Sequence, residues 1–476
     1  MTPEEFRHHA HMVVDWMADY MSSVVDYPVR SQVKPGDIEA QLSESPPEYG
    51  EPFETIFKDF CSIVMPGITH WQHPRFFAYF PANSSPPSVL GEMIISTLAA
   101  QCMLWQTSPA ATEMETRVLQ WVAQILGLPS DFCGVIQDSA STATLCAVLV
   151  AREKATGWQV DEVGPTAGPP VVFYCSAQSH SSVEKAIRIA GIGRKWLRKI
   201  PLDENWAMRP DLLQAAITAD RAAGHIPAGV IACVGSTSTG AVDPLSSIAK
   251  ICGKESLYLH VDAAWAGSAL VCPETRGMIE GIELVDSFVF NPHKWLLTNF
   301  DCSAHYVRDP ASLVRTLTIL PAYLKSKETG SVIDYRDWGV PLGRRFRSLK
   351  LWFVLRSYGV SGLQKMIRDH ISWTKELATW IDEASDFVLV DGPRLALLNF
   401  RYRPATITDP VLIDTMNEHL LEMINDDGRT YLTPNRLAGR FSIRFAIGQA
   451  NTTKDHVRQA WGVICEIARG LTIDHR

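Results

Sequence analysis

Asn291-Pro292-His293-Lys294-Trp295 follows the apolar run Ser287-Phe288-Val289-Phe290, which reads as a buried strand. A lysine at the end of such a strand is costly to leave charged and unpaired. It is also the side chain whose amine, once desolvated, turns nucleophilic and condenses with carbonyl compounds. Most lysines in loops are solvated surface groups; the surroundings of this one argue otherwise. Asp262 lies 32 residues upstream, in Leu259-His260-Val261-Asp262-Ala263-Ala264-Trp265, at the end of a second strand-like run. A lysine to hold an aldehyde and a carboxylate to keep a ring nitrogen protonated are the pair that pyridoxal phosphate needs.

Such a pair needs a scaffold that brings strand ends together. Four apolar runs, Val171–Cys175, Val230–Val234, Tyr258–Val261 and Ser287–Phe290, alternate with helical patterns such as Ser182–Ala190 and Pro244–Cys252. The alternation predicts an α/β fold with a mostly parallel sheet covered on both faces. Ligands of such sheets gather beyond the carboxyl ends of the strands. His180 and Ser181, Ser236 and Thr237, Asp262, and Asn291, His293 and Lys294 each follow one of these runs, so the candidates share one edge. Gly134–Thr144 leads with small and hydroxyl residues into the apolar helical stretch 145–152, placing free N–H groups where a phosphate could sit. A Ser/Thr-rich helix start is more often only a cap.

The flanks read differently. Thr2-Pro3-Glu4-Glu5 is a capping box opening an amphipathic helix to about Tyr20, and a second helix runs from Pro52 to about Met65. This N-terminal segment is too small to close a core and is expected to pack on another surface. Residues 70–87 are aromatic, proline-rich and aperiodic, either a packed loop or an aromatic wall for a ligand. Helical patterns cover Ser88 to about Leu104 and Thr112 to Leu126. Residues 321–339 read as a polar loop containing Tyr323, a surface loop or a lid. Helices then start at Ser348 and near Gly362, and a small C-terminal α/β unit interleaves Phe387–Val390, Leu395–Phe400 and Phe441–Ala446 with two helices.

The totals set limits. A net charge of −8 argues against nucleic acid or an anionic membrane as the main partner. No run of eighteen apolar residues occurs, and the N-terminus lacks the pattern of a signal peptide. Ten scattered cysteines without Cys-x-x-Cys suit a reducing cytoplasm and no disulfide framework. His70 and His73 form an isolated His-x-x-His, which is more often structural, and no metal is expected.

The motifs HPRFFAYFPA, TSPAATEMET, SHSSVEKA, HVDAAWAGSA, FNPHKWLLTNFDCSA, PAYLK and PLGRRFRSLKLWFVLRSYG span nearly the whole chain. In them the chain resembles the group II pyridoxal-phosphate decarboxylases, above all the aromatic-L-amino-acid decarboxylases. The resemblance implies a large domain of the pyridoxal-phosphate transferase type (fold type I) over residues 86–360. It also implies a helical segment over 1–85 packing on a partner subunit and a small α/β domain over 361–476. It implies a cytoplasmic homodimer with shared active sites. Lys294 would hold the cofactor aldehyde, Asp262 would pair with the ring nitrogen, and His180 and Ala264 would lie on opposite faces of the ring. Ala140, Ser141, Asn291 and His293 would anchor the phosphate, with Thr237 near the ring substituents. Trp71, Tyr79, Phe80 and Pro81 would line the substrate pocket, joined by Ala82, Gly343 and a Met103 from the partner, and Tyr323 would protonate the carbanion. The family often has threonine at the place of Ala82 and an aromatic at that of Met103, which bears on side-chain preference.

The implied reaction turns tryptophan, 5-hydroxytryptophan, dihydroxyphenylalanine, tyrosine or phenylalanine into the arylalkylamine and CO2. A rival on the same scaffold is an aromatic acetaldehyde synthase, in which the loop tyrosine or the stacking histidine is typically replaced; both Tyr323 and His180 stand here. Acidic substrates fit the aromatic stretch poorly. A catalytically silent scaffold is opposed by the intact Lys294, Asp262 and His180.

Overall fold

The computed structural model describes residues 1–165, 168–319 and 331–471. By internal contacts the chain forms two units. One comprises Met1–Pro81, Trp373–Asp391 and Leu398–Arg476, the other Ala82–Ser372 and Gly392–Leu397. The helices that bear on function are α1 (Pro3–Ser23), α2 (Phe53–Asp59), α3 (Pro86–Leu98), α4 (Pro109–Leu126) and α5 (Ala140–Thr156).

The larger unit is built on β1 (Cys133–Gln137), β2 (Val171–Ser176), β3 (Leu197–Ile200), β4 (Ile226–Cys233), β5 (Tyr258–Asp262), β6 (Ser287–Phe290) and β7 (Ser303–Val307). Their order is β1-β7-β6-β5-β4-β2-β3. The pairs from β6 to β3 are parallel, and β7 runs antiparallel to both β6 and β1. This is the mostly parallel sheet expected. The four runs recognised in the sequence are its contiguous centre, where burial on both faces demands unbroken apolar stretches. The other three were harder to read. β3 carries Arg198 and Lys199 at an edge, a common guard against further pairing. β7 carries Ser303 and His305, and β1 begins with the exposed Cys133.

Two helix boundaries differ from the periodicity. The helix expected to reach Leu104 ends at Leu98, with Ala99 left-handed at φ 47°. The following segment is claimed by another partner, since the Cys102 N–H donates to the Arg344 carbonyl at 2.9 Å. The helix expected to reach Met65 is regular only to Asp59, then passes through a wide turn over Phe60–Val64 and a tight one over Met65–Gly67. The two helices expected after Arg347 are continuous in sequence and separate at Gly359, whose φ of 62° breaks the helical path.

The smaller unit contains α1, α2 and, apart from the β8–β9 turn at Gly392–Leu397, a second sheet of β8 (Phe387–Arg394), β9 (Leu397–Tyr402), β10 (Thr433–Leu437) and β11 (Arg440–Ala446), ordered β10-β11-β9-β8. Thr2 and Glu5 close the capping box that starts α1. No α1 residue is buried; Trp16 stacks on Tyr20 of the same helix and meets Phe57 and Phe60 edge-on. Further on, Phe77 stacks on Phe445 at 4.2 Å and Phe76 meets Tyr431. These contacts group residues 1–81 with the C-terminal sheet, whereas the sequence-based boundaries set 1–85 apart from 361–476. His70 and His73 are spent on structure. His70 Nδ1 bonds the Tyr20 hydroxyl at 2.8 Å, and His73 Nδ1 accepts the Arg75 N–H at 2.9 Å. All ten cysteines are free thiols.

Two strands of the larger sheet carry fully buried histidines, His260 on β5 and His305 on β7. His260 bonds Ser287 and Thr144 through its two ring nitrogens. His305 has no hydrogen-bond partner on either ring nitrogen among the described residues, and burial pushes its pKa down to about 3. The folded-state value lies below the ordinary 6.5, so the neutral ring's stability is complete above pH 6.5 and is lost as pH falls toward 3. Across that window one such group removes about 1.4 kcal/mol per pH unit. His305→Leu is therefore expected to raise stability at neutral pH by about 1–3 kcal/mol, because two unsatisfied polar atoms leave the core. It should also flatten the acid limb by about 1.4 kcal/mol per pH unit. Urea unfolding from about pH 5 to about pH 8, a span around the ordinary histidine pKa, measures both.

Candidate active site

The ends of β5 and β6 are stitched together beyond their ladder. The Ala263 N–H donates to the Val289 carbonyl and the Asn291 N–H to the Ala264 carbonyl, both at 2.9 Å. The Asp262 carboxylate, 6% exposed, accepts the Ala264 N–H at 3.1 Å through Oδ1. Ala140 and Ala143 of α5 pack with Val289 and Ala264 in one small apolar cluster. Small side chains let the start of α5 approach both strand ends, which brings Ala140, Asp262, Ala264 and Asn291 into one neighbourhood.

Donors dominate there. Ser139 caps α5 by accepting the Thr142 N–H at 3.2 Å, and the N–H groups of Ala140 and Ser141 have no acceptor within the helix. Asn291 is buried and uses Oδ1 to accept the Ser303 hydroxyl at 2.6 Å, which leaves its amide N–H groups to donate. His293 is buried against Phe300, and its Nδ1 accepts the Cys302 N–H at 2.9 Å. Burial, helped by Lys294, pushes its pKa down to about 3, so it is neutral with one N–H left at Nε2. Thr237 is exposed on a loop braced by Ser236, which bonds Thr239 at 2.8 Å and accepts the Ala241 N–H at 3.1 Å. A helix start and an amide rich in N–H donors, with a buried carboxylate and a half-buried lysine nearby, suit a phosphate-bearing aromatic cofactor.

His180 caps the helix Ser181–Ile189. Its Nδ1 accepts the Ser182 N–H at 3.2 Å, which puts the proton of the neutral ring on Nε2. Burial lowers its pKa, Asp262 raises it and Lys294 lowers it. His180 therefore feels both the carboxylate and the amine.

In the smaller unit, Trp71 stacks on Tyr79 at 5.6 Å and meets Phe76 at 4.6 Å, leaving Trp71 and Tyr79 exposed. Tyr79 is left-handed at φ 50°, and its carbonyl is held by buried Arg444, a residue the sequence reading passed over. Phe80 and Pro81 are buried against Gly448, where a Cβ would lie 2.7 Å from Phe80 and 3.1 Å from Pro81. The aromatic stretch is thus half wall and half core.

Ala82, Met103 and Gly343 belong to the larger unit. The Met103 carbonyl accepts the Arg336 N–H at 3.0 Å. A Cβ at Gly343 would stand 3.2 Å from Nε2 of Gln101, whose Oε1 accepts the Arg344 N–H at 2.6 Å. Tyr323 lies outside the described residues.

The electrostatic arrangement has a measurable consequence in the cofactor-free protein. Asp262→Asn is expected to lower the His180 pKa further, and Lys294→Met to raise it, because the two charges act in opposite directions. NMR titration of the labelled histidine ring reads both. Shifts of the same sign, or none, would contradict the arrangement.

The sequence pattern of the pyridoxal-dependent decarboxylase conserved domain matches residues 35–403. The phenylacetaldehyde synthase of Arabidopsis thaliana is 43% identical over 481 residues, covering 99% of this chain and 97% of that protein. The tryptophan decarboxylase TDC1 of Camptotheca acuminata is 42% identical, covering 98% of this chain and 94% of that protein. Among solved structures, the TDC of Oryza sativa with PLP and tryptamine superposes with a TM-score of 0.95 at 38% identity, covering 99% of each chain. No helix among the described residues is long and apolar enough to cross a membrane.

Proposed function

The chain belongs to the pyridoxal-dependent decarboxylase family, and from that premise we propose that it converts aromatic L-amino acids to arylalkylamines and CO2. The observation that carries the reading is the meeting of Asp262, Asn291, Lys294 and the start of α5 at one sheet edge, in a chain matching tryptophan decarboxylase over its length. When bound, pyridoxal phosphate supplies an electron sink for the pair left as the Cα–carboxylate bond breaks. The chain's own residues do the rest. Lys294 would hold the aldehyde, and Asp262 would keep the ring nitrogen protonated by charge pairing. Ala140, Ser141, Asn291 and His293 would hold the phosphate, with His180, Ala264 and Thr237 placed to contact the ring. Tyr323 delivers a proton to the substrate Cα, which ends with hydrogen where the carboxylate was. Trp71, Tyr79, Phe80, Pro81, Ala82, Met103 and Gly343 set the shape offered to the substrate ring.

The protein works as a cytoplasmic homodimer with shared active sites. That α1 has no buried residue and exposes Phe6, Val14 and Met21 supports a second copy covering it. A second reading, the aldehyde-forming reaction, is favoured by the similarity to phenylacetaldehyde synthase. The presence of both His180 and Tyr323 favours the amine.

Incubation with tryptophan, tyrosine, dihydroxyphenylalanine, phenylalanine, histidine and glutamate, with products identified by mass, decides between them. Amines from the aromatic substrates, with tryptophan or its hydroxylated form among the best, are expected. Aldehyde, ammonia and peroxide would support the second reading, and a lead for glutamate or histidine would overturn the aromatic one. Gly343→Ser must displace the Gln101 amide. It is expected to shift the tryptophan-to-tyrosine ratio of kcat/KM by about 10–200-fold, the range that methylene-sized changes give. An unchanged ratio would remove Gly343 from the determinants.

A further inference from the structure

The one-turn helix Pro292–Trp295 carries Lys294 but is too short to satisfy its own carbonyls. The segment from Asn83 to Ser88 satisfies them from outside. The Asn83 backbone N–H donates to the His293 carbonyl at 2.8 Å, and the Asn83 side-chain amide donates to the carbonyl of Lys294 itself. Ser85 Oγ donates to the Leu297 carbonyl at 2.7 Å, where Leu297 is held left-handed at φ 56°. Ser88 Oγ accepts the Asn299 N–H at 2.8 Å and donates to the Asn299 side-chain carbonyl. Asn83, Ser85 and Ser88 are each no more than 2% exposed, so water is a poor substitute for any of these bonds.

The strap is itself anchored. Ser85 precedes α3, and α3 lies so close to the helix starting at Arg347 that a Cβ on Gly91 would fall 2.9 Å from Lys350 Cα. A rigid helix therefore backs the residues that grip the lysine loop.

We infer that Asn83 is the positioning residue for Lys294: by holding the two successive peptide carbonyls of His293 and Lys294, it fixes the direction in which the Lys294 side chain leaves the backbone. The inference rests on Lys294 holding the cofactor. Asn83 acts through the lysine backbone. A displacement of about 1 Å at a reacting group costs on the order of 100-fold in rate, which sets the scale of the effect.

The test uses the cofactor-loaded dimer with Asn83→Ala, which deletes the amide donor, and Asn83→Asp, which keeps the size and sets an acceptor against the Lys294 carbonyl. Expected for each is a fall in kcat per bound cofactor of about 10–100-fold. KM should stay within about threefold, because ground-state substrate binding is not the interaction removed. Two further readouts separate positioning from bulk stability. The rate at which cofactor is lost on dilution should rise about tenfold, the equivalent of one neutral hydrogen bond. The pH at which the visible absorbance of the lysine-bound cofactor changes should also move, more in Asn83→Asp than in Asn83→Ala. If Asn83→Ala does not accumulate folded, Asn83→Asp carries the test. Unchanged kcat, cofactor release and absorbance profile, even with a lower Tm, would overturn the inference. A parent enzyme that decarboxylates nothing would instead count against the proposed function.

Discussion

An amine at the carboxyl end of a buried strand cannot stay charged without compensation, and much of the larger unit can be understood from that constraint. Lys294 follows β6, and the neighbouring strand β5 ends in Asp262, whose carboxylate is buried beside it. Parallel pairing of β4, β5 and β6 puts their carboxyl ends on the same side, so groups far apart in the chain become neighbours without any long loop. The helix after β1 then points its N-terminus at the same place. An anion-friendly helix start, a buried carboxylate and a lysine form a set whose charges balance best when a phosphate-bearing, protonatable ring lies among them.

The same constraint explains the unusual bonding around the lysine. A single helical turn is a stiff way to present one side chain, but it leaves carbonyls that something else must satisfy. Asn83 and Ser85 meet that need from 211 and 212 residues away. The Cys302 N–H occupies His293 Nδ1, and the neutral ring adds no second positive charge next to the lysine. The lysine loop is thus held by uncharged donors and acceptors, which orient it without competing for its charge.

What could be read in the sequence follows from how local each signal is. The central strands β2, β4, β5 and β6 were legible because burial on both faces leaves continuous apolar runs. β1, β3 and β7 were not, because edge position or polar residues interrupt the pattern. Asp262, Asn291 and Lys294 stood out as polar residues at strand ends. Asn83 gave no such signal, lying in an aperiodic aromatic stretch, and its partner is visible only once the chain is folded. Gly343 came from the resemblance alone, and its neighbour Gln101 gave no signal, since their proximity depends on the Cys102–Arg344 pairing beyond the end of α3. Arg444 reads as an ordinary strand residue; only the left-handed Tyr79 carbonyl it supports gives it meaning.

The central claim is that Lys294 is the residue that binds the cofactor covalently, and chemical trapping tests it most directly. The protein loaded with pyridoxal phosphate is reduced with borohydride, digested and mapped by mass. The account predicts one modified peptide, containing Asn291-Pro292-His293-Lys294-Trp295, with the added mass on Lys294. A label on another lysine, or no label on a protein that still decarboxylates, would contradict it.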